Sequence, residues 1–274
     1  MSVHIQNSRI TTTIIRQMVA DNQPISMLTS YDYTLARLVD RAGIDMILVG
    51  DSASNIVCGN AYTLPITMDE MIFLTKGVVR AAQHAMVVVD MPFGSYQVND
   101  DEAVRNAILM LKETGCDAVK IEGGENVLPA IRKIIAAGVP VQGHLGLTPQ
   151  SVNQFGGYGL RAKEEKEAEQ LLRDAELLAQ AGCFSIVLEK IPADLAEQVT
   201  RLVAPYHCAT IGIGAGNRTH GQVLVLHDML GLNDGFKPKF LRHFAQLAST
   251  VQSAVKEYIE AVQNHTFPNE KESY

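Results

Sequence analysis

The sequence predicts an α/β protein of the (β/α)8 barrel class, and three observations carry that prediction. About eight short β-branched runs alternate with longer helical patterns, as βαβ units of a parallel sheet do. Glycines at 43, 115, 138 and 182 stand a few residues ahead of four of those runs, where a helix ends and a short αβ loop begins. Four runs finish in or beside an acid, and the C-terminal strand ends of a barrel converge on one face.

The strand-like runs cover residues 25–30, 46–50, 86–90, 118–122, 139–144, 185–189 and 210–212, with a weaker one at 223–227. MILVG, MVVVD and SIVLE carry apolar residues at successive positions, the signature of strands buried on both faces. Helical periodicity fills 33–42, 68–82, 101–114, 127–137, 163–181 and 193–203. A helix is expected ahead of the first strand at 10–20, a long closing helix at 238–262, and a loose polar tail over 265–274. No low-complexity stretch divides the 274 residues, so one domain over 1–274 is expected. A doubly wound open sheet uses the same alternation and remains the competing architecture.

The formal net charge is −7, which disfavours a nucleic-acid partner. No apolar run approaches the ~20 residues that span a bilayer, and residues 1–16 lack the apolar core of a secretory leader. A cytoplasmic enzyme acting on small molecules is the expectation. The four cysteines, Cys58, Cys116, Cys183 and Cys208, form no C-x-x-C pair. That excludes a zinc ribbon and suits buried thiols in a reducing compartment.

The acids are Asp51, just after the second strand, Asp90 ending the third, Glu122 ending the fourth and Glu189 ending the sixth. An Asp after a strand often caps the next helix. The segments SASNIVCGN and MPFGSYQVN that follow the two aspartates do not read as immediate helix starts, and Glu caps poorly. Clustered carboxylates repel unless a cation lies among them. An oxygen set without paired Cys or His suits a hard ion, magnesium before zinc.

Lys120 precedes Glu122 by two, so both point to the same side of a strand. A buried lysine there needs an anionic partner, either Glu122 or substrate, and a Schiff-base role competes. His144, read as the end of the fifth strand, adds a hydrogen-bonding group for substrate at the same face. Seven other histidines (His4, His84, His207, His220, His227, His243 and His265) read as structural or exposed. The glycine-rich segment 212–217 is either a phosphate loop or a tight turn where backbones pass closely.

The segments TSYDY (29–33), LVGDS (48–52), TLPIT (63–67), VKIEGG (119–124), GHLGLTPQSVNQFGGY (143–158), VLEKIP (187–192), IGIGAGN (211–217) and HDMLGL (227–232) complete the reading. In order and spacing the chain resembles the ketopantoate hydroxymethyltransferase family over roughly residues 29–260. The resemblance implies a barrel of the phosphoenolpyruvate/pyruvate type and a homo-oligomer, often a decamer. It implies hydroxymethyl transfer from 5,10-methylenetetrahydrofolate to 3-methyl-2-oxobutanoate, giving 2-dehydropantoate on the way to pantothenate. By the same resemblance, Mg2+ falls on Asp51, Asp90 and Glu122, substrate contacts on Asp51, Ser52, Asp90 and Lys120, and the general base on Glu189. Departures from the family pattern lie at Ala53-Ser54-Asn55, at Gly59-Asn60-Ala61 and at Lys190. A folate-independent, magnesium-dependent C–C lyase and a lysine-based aldolase are the alternatives to this activity.

Overall fold

Eight parallel strands close on themselves in sequence order in the computed structural model, which describes residues 9–233, 235 and 237–274. The strands are β1 (Ile25–Thr29), β2 (Met46–Val49), β3 (Met86–Asp90), β4 (Ala118–Glu122), β5 (Val141–Gly146), β6 (Ser185–Glu189), β7 (Ala209–Ile213) and β8 (Gly221–Leu224). Closure comes from β8 pairing with β1, with Gly221 opposite Ile25 and Val223 opposite Met27. That pairing rules out the open doubly wound sheet.

Nine helices are described up to Leu224: α1 (Thr12–Ala20), α2 (Tyr33–Arg41), α3 (Ala53–Ile56), α4 (Met68–Ala81), α5 (Asp100–Thr114), α6 (Leu128–Ala136), α7 (Val152–Phe155), α8 (Glu165–Ala181) and α9 (Ala193–Val203). Of these α2, α4, α5, α6, α8 and α9 form the outer layer, each against the next. Local chemistry sets their ends. Asp32 accepts the Thr34 and Leu35 amides at the start of α2, and Thr67 with Glu70 forms a reciprocal capping box on α4. Gly115 and Gly182 close α5 and α8 at φ 74° and 101°, a left-handed turn that costs glycine little.

Every residue of β2, β3 and β4 is buried, as their unbroken apolar runs predict. The core within the barrel joins Met27, Met46, Leu48, Met86, Val88, Val187, Ile211 and Val223 to Ile15, Met18 and Val19 of α1. The preceding helix thus buries its apolar stripe against barrel side chains, and Thr11 caps it.

Contacts divide the chain into two compact units, residues 1–224 and 225–274. The second unit holds α10 (Leu226–Met229) and α11 (Leu247–Gln263). Here one expectation is corrected: the closing helix starts at Leu247, not at Pro238. Backbone amides of Phe244, Leu247 and Ala248 instead donate to the carbonyls of Met229, Leu230 and Gly231. Those amides are committed to the α10 turn and are lost to an earlier start of the helix. α11 buries none of its side chains within this chain.

Three further expectations change. The fifth strand runs two residues past His144, because Leu145 and Gly146 continue the pairing with Leu188 and Glu189. Asp51 is followed almost at once by the single turn α3, but no side chain caps that turn. Cys58 is exposed, whereas Cys116, Cys183 and Cys208 are buried, and all four thiols are free. His4 and the first eight residues of the leaderless N-terminal reading lie outside the described residues.

Candidate active site

Five ionisable side chains from four neighbouring strands meet at the C-terminal end of the barrel. Asp51 follows β2, Asp90 ends β3, Lys120 and Glu122 lie on β4, and His144 lies on β5. All are buried, at 2 to 6% exposure. Parallel register makes this meeting possible: Asp90 stands opposite Lys120, and Glu122 opposite His144.

Lys120 Nζ lies 3.0 Å from Asp90 Oδ1 and 3.8 Å from Glu122 Oε1. Burial by itself would push the ammonium toward the neutral amine. Asp90, Glu122 and Asp51 outweigh it, so Lys120 is held charged. A charged amine is a poor Schiff-base nucleophile. Asp90 Oδ2 accepts the backbone N–H of Asp51 at 2.9 Å. Burial, then the charges of Asp90 and Glu122, push Asp51 well above the usual carboxylate range. Burial likewise pushes Glu122 up to about 7, against the pull of Lys120.

His144 Nδ1 is 3.1 Å from Lys120 Nζ and 3.2 Å from Glu122 Oε1, and its Nε2 is 3.4 Å from Glu189 Oε2. Burial and the Lys120 charge hold the ring below its ordinary pKa, so it stays neutral. Nδ1 can accept from the Lys120 ammonium in one tautomer or donate to Glu122 Oε1 in the other, and Nε2 lies on the side of Glu189. Glu189 is the most open of the acids, its side chain 18% exposed. It stands across the imidazole from Lys120.

Ser52 follows Asp51, and its hydroxyl pairs with the buried Tyr31 hydroxyl at 2.8 Å. The structure therefore brings Asp51, Asp90, Lys120, Glu122, His144 and Glu189 into one linked cluster. Two residues that the strand-end reading passes over belong to it as well. Gln150 donates to Asp51 and Glu122, and the Tyr96 hydroxyl pairs with Gln150 and accepts the Glu122 amide. Tyr96 lies in a loop and Gln150 in a single 3-10 turn, where no periodicity marks them. The GHLGLTPQ segment was the available signal for Gln150.

Three carboxylates face one ammonium here, an excess of negative charge that a cation would neutralise. Among the described residues no group of three or more His, Cys, Asp or Glu stands as a ready-made metal cage. Magnesium does not need one. It is commonly held through one or two carboxylates, with waters and substrate oxygens completing the octahedron. By donor chemistry the site fits such an ion.

The glycine-rich segment 212–217 behaves as a packed turn. A Cβ on Gly216 would meet Ala193 Cβ at 2.5 Å, and one on Gly212 would meet Thr219 Oγ1 at 2.9 Å. No helix of the described residues is long and apolar enough to cross a membrane.

A closed parallel barrel with acids and a lysine gathered at its strand ends defines a (β/α)8-barrel enzyme. The same barrel occurs in a phosphonomutase-like protein from Burkholderia cenocepacia, with TM-score 0.65 and 15% identity over 90% of this chain and 99% of that one. It occurs too in 2,3-dimethylmalate lyase, a PEP mutase/isocitrate lyase superfamily member, with TM-score 0.58 and 16% identity over 96% and 91% of the two chains. At those identities the likeness concerns the fold alone, a (β/α)8 barrel. The chain belongs to the ketopantoate hydroxymethyltransferase family, whose profile matches residues 9–270. A 3-methyl-2-oxobutanoate hydroxymethyltransferase of Bacteroides thetaiotaomicron is 56% identical over 267 residues, 97% of this chain and 96% of the relative.

Proposed function

We propose that this protein transfers a hydroxymethyl group from 5,10-methylenetetrahydrofolate to 3-methyl-2-oxobutanoate, forming 2-dehydropantoate for pantothenate and coenzyme A biosynthesis. The family supports the reaction, and one observation carries the mechanism. Glu189 stands at the open side of a buried cluster that holds three acids, a charged lysine and a neutral histidine.

Asp51, Asp90 and Glu122 would hold Mg2+. When bound, the ion would polarise the keto oxygen of a chelating 2-oxo acid and favour loss of its C3 proton. Lys120, kept charged by its acidic neighbours, supplies a fixed positive group for oxygen on which negative charge develops. Glu189 takes the C3 proton onto its carboxylate. His144 Nε2 stands 3.4 Å from Glu189 Oε2, which places the imidazole to orient that carboxylate. Ser52, its hydroxyl oriented by Tyr31, supplies a further substrate contact. The C3 carbon then bonds to the one-carbon unit of the folate. The bonds of that unit to the two folate nitrogens break, water supplies its hydroxyl, and tetrahydrofolate leaves with the proton from C3 and the second proton of that water.

We further propose a homo-oligomer, with the decamer implied by family resemblance, working in the cytoplasm on small molecules alone. Val251, Val255, Tyr258 and Val262 of α11 are exposed in the single chain, and covering such residues is a common reason for self-association.

The decisive assay combines purified protein, Mg2+, the folate donor and 3-methyl-2-oxobutanoate. Formation of 2-dehydropantoate is expected, and its absence would overturn the proposal. Exchange of the C3 hydrogen with solvent deuterium, without folate-dependent product, would favour the folate-independent lyase.

A further inference from the structure

Gln150 lies in the 3-10 turn Pro149–Ser151 after β5 and is 6% exposed. It carries no charge and takes no proton. Yet every hydrogen-bonding position of its side chain is filled. Nε2 donates to Asp51 Oδ2 at 3.0 Å and to the Met91 carbonyl at 3.0 Å. Oε1 accepts from the Tyr96 hydroxyl at 2.7 Å and from Gln97 Nε2 at 3.0 Å. Two donors and two acceptor sites are all that an amide offers.

This saturation locks the group. Turning the amide over would set its oxygen against a carboxylate and a carbonyl, and its NH2 against two donors. The backbone N–H of the same residue donates to Glu122 Oε2 at 2.9 Å. One residue on the β5 loop therefore ties back one oxygen each of two acids from different strands.

We propose that Gln150 is a positioning residue for the acid cluster. By holding Asp51 Oδ2 and Glu122 Oε2 it fixes the orientation of both carboxylates, and so sets the affinity of the site for a divalent cation. Partners of this kind typically change metal affinity 10–100-fold when removed. The inference rests on the reading that these acids hold a cation.

The test uses the full chain and Mn2+ alone, with free Mn2+ read by electron paramagnetic resonance. Gln150→Met keeps the side-chain length and the backbone N–H but removes the amide. It should weaken Mn2+ binding about 10–100-fold. Tyr96→Phe removes one anchor of the amide and should weaken binding less. Adding Gln150→Met to Asp51→Asn should cost much less affinity than adding it to the wild type, since its target would already be changed. A folded Gln150→Met that melts lower but binds Mn2+ as the wild type does would overturn the inference alone. Additive losses in the Asp51→Asn background would overturn it too. Wild-type protein that takes up no Mn2+ would overturn the cation reading, and this inference with it.

Discussion

The Lys120 ammonium lies 3.0 Å from Asp90 Oδ1, with both side chains 4% exposed. It is the positive charge set among three buried carboxylates, and removing one partner of a buried pair leaves the rest uncompensated. Lys120→Met is expected to lower the stability of the metal-free protein by about 3 kcal/mol, and by less when Mg2+ is present. Chemical denaturation with and without Mg2+ measures the difference. Equal losses in both conditions would count against a shared role for lysine and cation.

Glu189 stands apart from the three carboxylates, 3.4 Å across from the neutral His144 ring. Glu189→Gln keeps the shape of the side chain and removes the base. Its kcat should fall by roughly 10²–10⁴, with little change in KM for the oxo acid. C3–deuterium exchange should fall in parallel. Unchanged exchange would assign proton removal to another group.

Stability toward acid should depend on Asp40, far from the proposed chemistry. Its carboxylate accepts the amides of Gln83, His84 and Ala85 at 2.8–3.0 Å, joining α2 to the turn before β3. Burial raises its pKa, but the three amide bonds outweigh burial and leave it below the ordinary value. A depressed folded pKa means that the contribution is full above the unfolded value of about 3.9. It is lost as pH falls through the folded pKa. Asp40→Asn should cost about 1–3 kcal/mol at pH 7. The gap between mutant and wild type should narrow below about pH 4. A constant gap from pH 7 to pH 3 would contradict this.

Gly146 ends β5 at φ +91°, and a Cβ there would stand 2.3 Å from the Glu189 carbonyl oxygen. Gly146→Ala is therefore expected to destabilise by about 3 kcal/mol or more. It should also lower kcat by moving the strand end that carries Glu189. Thermal melting and turnover report the two effects separately.

Much of this site was legible because strands are local objects. The sequence by itself determined the order of eight strands and the acids at their ends. Alternation along β4 placed Lys120 and Glu122 on one side, and their 3.8 Å approach agrees with it. It did not determine closure, since open and closed parallel sheets share one alternation and differ only in whether β8 reaches β1. The start of α11 was also beyond it, because the amides of residues 244–248 pair with carbonyls that only the chain path brings near. Gln150 and Asp51 are 99 residues apart in sequence and 3.0 Å apart in space. The tertiary structure decided that contact, along with the neutral state of His144 and the lasting charge of Lys120. Each depends on burial and on which charges lie within a few ångströms, quantities that no single segment of chain possesses.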